Sequence, residues 1–189
     1  MSKALLVVAT AVLLFPSVAD ACLNGVELTT DDYARMVARA EKQLEAGQFG
    51  KAKKSLGHEP MPTAALERRA ADIRAVLKLR MSKSPKQLEA AAKHFKARSE
   101  SKQGEKDVRM RAWLAEALVA LGKQDDARPI LVELHERDLV PDGYAYLALA
   151  KLSTGAQRYE FWKACRTRAK NKDICELPAQ VSTKSAARS

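Results

Sequence analysis

The sequence predicts an all-α fold, on three observations. From Thr30 to Lys170 the apolar residues recur at intervals of three and four, the spacing that lines one face of an α-helix. No stretch alternates apolar and polar residues with the period of two that a half-buried strand requires. The chain of 189 residues is 47% apolar but only 5% aromatic, with eight Gly and seven Pro, so it can fill a core while lacking the residues that strands and hairpins favour. Charged residues at 30% are close to the folded-protein average, which excludes wholesale disorder.

The helices follow in order. Tyr33, Met36, Val37, Ala40 and Leu44 form a first stripe behind Thr30-Asp31, residue types that start helices well. A short helix is expected around 51–56. Leu66, Ala70, Ile73 and Leu77 form the next stripe, behind Thr63. Leu88, Ala91, Ala92 and Phe95 follow, opened by Ser84 as cap and Pro85 in the first turn. Four more stripes comprise Val108, Ala112, Ala115 and Val119; Ala127, Ile130, Leu131 and Leu134; Tyr144, Leu147 and Ala148; and Tyr159, Trp162, Cys165 and Ala169. The segment 108–121 has a second apolar face in Met110, Leu114, Ala117, Leu118 and Leu121. The segment 143–152 has one in Ala145, Leu149 and Leu152. A helix apolar on two faces needs neighbours on both, as an inner helix of a stacked array does. Tyr33, Met36, Phe49 and Trp162 read as core rather than contact residues.

Three segments share a helix end, a glycine turn and a new helix carrying a small residue: Leu44–Leu56 around Gly47, Ala120–Leu131 around Gly122, and more weakly Leu152–Glu160 around Gly155. They resemble the turn of the tetratricopeptide repeat, which joins a Gly, an aromatic, an Ala and a large apolar residue. Gly47, Phe49, Ala52 and Leu56 match in all four places, and Gly122, Ala127 and Leu131 in three. Ala91 and Phe95 fit a further unit without its glycine, and Tyr144 fits the Trp place of another. The small-residue positions Ala52, Ala91, Ala127 and Glu160 follow one another at 39, 36 and 33 residues, against a family repeat of about 34. Ala40, Ala115 and Ala148 stand where that family packs a small residue between paired helices. The resemblance implies about four degenerate units of antiparallel helix pairs over residues 31–175, binding peptides or protein surfaces through a concave face. The alternative is a non-repeating helical bundle.

The N-terminus sets the compartment. Lys3, the apolar run Ala4 to Phe15 broken only by Thr10, Pro16-Ser17, and the small-x-small Ala19-Asp20-Ala21 read together as a secretory signal peptide over residues 1–21. Twelve apolar residues are too few to span a bilayer, which takes about 20. The exported chain then starts at Cys22, with 22–30 as a linker. A cysteine at that place also admits lipidation at Cys22, although Ala19-Asp20-Ala21 departs from the lipoprotein pattern. Export permits disulfides. Pairing Cys165 with Cys175 closes a short loop worth about 2.5–3 kcal/mol on the chain-entropy model; otherwise both are small buried hydrophobes. Two Cys without a nearby His make a poor zinc set, and no metal or cofactor is expected. Residues 176–189, basic and low in apolar content, read as a disordered tail.

The charge of +10 concentrates in residues 51–111 and in the tail, while 22–50 and 112–165 are slightly acidic. One reading is solvated faces of amphipathic helices. The other is a basic surface of Lys51, Lys53, Lys54, Arg68, Arg69, Lys93, Lys96 and Arg98 facing an acidic protein segment, an anionic envelope polymer or lipid. Export and the lack of aromatics among the basic runs count against nucleic acid.

Nothing in the sequence spells a reaction. His58, His94 and His135 stand apart, and His135-Glu136 lacks the second histidine of a zinc-protease helix. Ser99-Glu100-Ser101-Lys102 has the spacing of an acyl-transfer motif without its companions. Asp31-Asp32 and Asp125-Asp126 sit at helix starts, where the helix dipole accounts for them. The expectation is a non-enzymatic exported scaffold for a protein or peptide partner in a bacterial cell envelope. The competing expectation is a basic binder of anionic polymer or lipid, which salt would weaken more steeply.

Overall fold

The computed structural model describes residues 28–101 and 107–175. The expected signal peptide, Cys22, Ser101–Lys102 beyond its serine, and the tail after Cys175 lie outside the described residues. Eight helices run in order: α1 (Thr30–Glu45), α2 (Phe49–Leu56), α3 (Ala64–Met81), α4 (Pro85–Ser99), α5 (Val108–Ala120), α6 (Gln124–Glu136), α7 (Gly143–Leu152) and α8 (Gly155–Arg168). A short 3₁₀ turn, Lys172–Cys175, follows. No strand occurs among the described residues.

Local chemistry sets the starts. The side chain of Thr29 accepts from Asp32 N at 3.2 Å while Asp32 accepts from Thr29 N at 3.0 Å, a reciprocal box that begins α1 one residue before the expected Thr30-Asp31 signal. Thr63 caps α3 by accepting from Leu66 N at 3.3 Å, and Pro85 occupies the first turn of α4. Asp107 and Asp142 cap α5 and α7, accepting from Arg109 N and Ala145 N at 3.0 Å each.

The ends of α1 and α5 are alike. Gly47 (φ +72°) and Gly122 (φ +77°) adopt the left-handed conformation, and the next residue donates back five positions: Gln48 N to Gln43 O at 2.8 Å, Lys123 N to Leu118 O at 2.9 Å. The Gly155 turn differs. Ser153 and Thr154 are extended there, and Gly155 itself opens α8 at φ +55°.

Each helix packs mainly against its neighbours in sequence, and α1 also meets α3 as α5 meets α7. Three apolar clusters result. The first joins α1, α2 and α3 through Val37, Ala40, Ala52, Leu56 and Ile73. The second joins α3, α4 and α5 through Val76, Ala91, Phe95, Met110 and Ala117. The third joins α5 to α8 and the 3₁₀ turn through Ala112, Ala115, Leu131, Leu149, Phe161 and Cys165. Helix α5 serves the second cluster with one face and the third with another, as its sequence required. Helix α3 is two-faced as well, with Leu66, Ala70 and Ile73 on one side and Ala75 and Val76 on the other. The single stripe read from its sequence misses the second face. Ala40, Ala52, Ala91, Ala115 and Ala127 are fully buried at these crossings, where a larger side chain would hold the backbones apart.

An added Cβ at Gly122 meets nothing within 4 Å, so only its backbone conformation resists substitution. Gly122→Ala is expected to lower unfolding stability by about 1–2 kcal/mol, read as a lower urea midpoint at unchanged slope.

Candidate functional site

The end of α1, the length of α3, the starts of α5 and α7 and residues 168–171 surround one cleft of about 910 Å³. Its polar walls are built from ion pairs between helices. Arg69 donates to both oxygens of Glu41, at 3.0 and 2.6 Å. Arg98 donates to both oxygens of Asp72, at 3.1 and 3.2 Å, and His94 Nε2 lies 2.7 Å from Asp72 Oδ1. Burial pushes the Asp72 carboxyl up, but the bonds from His94 and Arg98 more than reverse this and hold it below its ordinary value.

Arg80 reaches from α3 along the cleft to Glu116 on α5 and donates to its carboxylate, both side chains being nine-tenths buried. The guanidinium also lies over the Tyr144 ring of α7, 3.5 Å from its centroid. Burial pushes the Glu116 carboxyl up to about 7; Arg80 and Lys151 oppose the shift and Asp142 adds to it. Glu116 Oε1 has no hydrogen-bond partner among the described residues. Burial likewise raises the Tyr144 phenol. Phe49, at the start of α2, stands 6.2 Å from Tyr144 ring to ring. Trp113 and Phe95 pack at 5.7 Å beside it on the α4–α5 side.

The far side of the cleft is a clasp. Cys165 in α8 and Cys175 form a disulfide with Cα atoms 6.0 Å apart, both buried, and the Trp162 indole N–H donates to the Cys175 carbonyl. Between the two cysteines, residues 168–171 run along the cleft. Lys170 approaches Glu45 at 4.0 Å, and Asn171 lies against the α1–α2 turn at Gly47. A Cβ on Gly143 would stand 2.5 Å from that of Ala169, so the clasp seats on α7 only because residue 143 is glycine.

The eight expected basic-surface residues are not brought together in the cleft. Arg69 and Arg98 line it, each already paired with an acid. Lys51, Lys53 and Lys54 are exposed on α2, Arg68 on α3, and Lys93 and Lys96 on α4, where Lys96 lies 3.9 Å from Glu100. Phe49, read as core, is half-buried in the cleft wall, while Tyr33, Met36 and Trp162 are half-buried elsewhere. No sequence pattern groups Arg80, Glu116 and Tyr144. Their one visible signal is Glu116, the sole charged residue between Ala112 and Leu121.

Among the described residues no helix is long and apolar enough to cross a membrane, and no three His, Cys, Asp or Glu side chains are grouped to hold a metal ion. In comparisons with known proteins, no family model matches the chain, and neither a curated protein nor a solved structure matches it.

Two outcomes follow from this geometry. Replacing Cys165 and Cys175 with Ser is expected to lower unfolding stability by about 2–3 kcal/mol, and to speed amide exchange across 168–175. The second concerns Glu116, whose value of about 7 in the folded protein exceeds the ordinary 4.5. The native state therefore holds the extra proton between those values, and stability contributed by the protonated group is lost as pH rises through 7. Glu116→Gln is expected to flatten that decline, whose slope is at most about 1.4 kcal/mol per pH unit, in urea titrations from pH 5 to 8. Asp72, shifted downward, acts in a separate window below its ordinary 3.8.

Proposed function

We propose that the protein is an exported, non-enzymatic helical scaffold, similar to a tetratricopeptide array, whose cleft holds a segment of a partner protein. The observation that carries this reading is the cleft itself. At about 910 Å³ it lies at the upper end of ligand-sized pockets, and it combines aromatic faces with charged side chains from five separate helices. Sequential helix pairs, the matching Gly47 and Gly122 turns and the buried alanines at the small-residue positions support the repeat assignment. The Cys165–Cys175 disulfide supports an oxidising compartment, in keeping with the leader-like N-terminus.

One observation favours the competing reading of an anionic polymer or lipid partner: Lys51, Lys53 and Lys54 stand exposed together on α2, away from the cleft. Site-specific photo-cross-linking in the native host separates the two. A cross-linker at Asn171, exposed on the cleft, is expected to give a discrete protein adduct, and one at Glu89, exposed on α4, is not. Absence of an adduct from residue 171, together with salt-sensitive capture through residue 53, would sink the cleft reading.

A further inference from the structure

We propose that the cleft takes an extended acidic segment of a partner chain, with Arg109 and Lys170 as its carboxylate contacts and Glu45 as the chain's own stand-in for the partner's carboxylate. This rests on the scaffold reading above and names the chemistry of its partner.

Glu45 stands at the end of α1 between two cations from distant parts of the chain. Arg109 of α5 lies 3.6 Å from one carboxylate oxygen, and Lys170 of the clasp lies 4.0 Å from the other. Both separations exceed hydrogen-bond length. All three side chains are more than half exposed, at 63%, 67% and 52%, so water screens each pair and neither contributes much. The cleft's other arginines are bound differently. Arg69 and Arg98 each close two hydrogen bonds on a carboxylate, and Arg80 is buried against Glu116. Arg109 and Lys170 are held beside a shared carboxylate without closing a bond to it.

Two cations share one acid, and Arg168, two residues before Lys170 on the same wall, has no ion-paired carboxylate among the described residues. Of the other acids on the cleft, Asp107 and Asp142 accept from the starts of their own helices, and Glu41 and Asp72 are held by Arg69 and Arg98. A partner carboxylate entering between Arg109 and Lys170 would displace Glu45 from two weak contacts and form charge-assisted bonds that Glu45 does not make. The Phe49–Tyr144 pair and Trp113 offer apolar faces to neighbouring side chains of the same segment. A concave site of this kind admits a chain and excludes a bilayer surface.

Fluorescence anisotropy with three labelled heptapeptides, alternating Leu with Glu, Ser or Lys, tests the assignment on the oxidised chain from residue 22 onward. The Glu peptide is expected to bind best. Arg109→Ala with Lys170→Ala should weaken it about tenfold, and Glu45→Gln should tighten it about threefold by removing the competitor. A gain from Glu45→Gln is not expected of residues that merely hold the fold. Matching thermal unfolding confirms that each variant is folded. Equal binding of the Ser or Lys peptide overturns the acidic preference while leaving a cleft scaffold standing. Loss of the Glu peptide on replacing Lys51, Lys53 and Lys54, but not Arg109 and Lys170, overturns the site. Binding to phosphatidylglycerol vesicles in place of every peptide overturns the partner class. If no peptide binds, the inference fails, and the cross-link at residue 171 decides the scaffold reading separately.

Discussion

Two-sided burial of α3 and α5 is the constraint on which the remaining architecture depends. Each carries apolar residues on two faces, and neither face can be left in water without forfeiting about 25 cal/mol for each Å² it would have buried. Helix α3 therefore sits between the α1–α2 pair and α4, and α5 between α4 and the α6–α7 layer. Stacking is the arrangement that covers both faces at once. It requires close crossings, which the fully buried alanines permit, and tight reversals, which the left-handed glycines permit at Gly47 and Gly122.

The same stacking gathers the polar groups. Polar residues of α3 and α5 line the cleft together with the edges of two apolar clusters, at Ile73, Val76 and Met110. Burying charge there costs several kcal/mol per ion unless it is paired, and the more buried charges are paired, Asp72 with Arg98 and His94 and Glu116 with Arg80, while the Glu41–Arg69 pair stays open to solvent. Glu116 is the extreme case. Its second oxygen has no hydrogen-bond partner among the described residues and burial drives its carboxyl up to about 7, so this junction of α3, α5 and α7 sits close to its titration midpoint at neutrality. The aromatic ring of Tyr144 takes up the face of Arg80 that no acid reaches.

The clasp gives the site its second wall. A disulfide between α8 and the 3₁₀ turn fixes the ends of a loop whose middle crosses to the α1–α2 turn, linking the last helix pair to the first. The contacts described across that seam are slight: one long ion pair from Lys170 to Glu45, the Phe49–Tyr144 ring contact and the approach of Asn171 to Gly47. Under the acidic-partner proposal, it is at this weakly attached rim that a partner's carboxylate would replace Glu45.

The sequence by itself determined the helices, because 3.6-residue periodicity and capping chemistry act within a few residues of one another. Thr63, Pro85 and the glycines at 47 and 122 act where the sequence places them, whereas the Ser84 side chain makes no capping hydrogen bond at the start of α4; the two faces of α5 were legible because both repeat at helical spacing. The pairing of Cys165 with Cys175 was one of two open readings and needed the fold to choose it. Tertiary structure alone decided the site. Arg80, Glu116 and Tyr144 lie 36 and 28 residues apart in succession, and no local pattern relates them. The basic residues show the same limit. Sequence grouped eight of them by proximity along the chain, yet helix rotation turns Arg69 and Arg98 into the cleft beside acids while the lysines of α2 and α4 face solvent. Which face of a helix looks inward follows from its neighbours' packing, and those contacts join residues that are far apart in the chain.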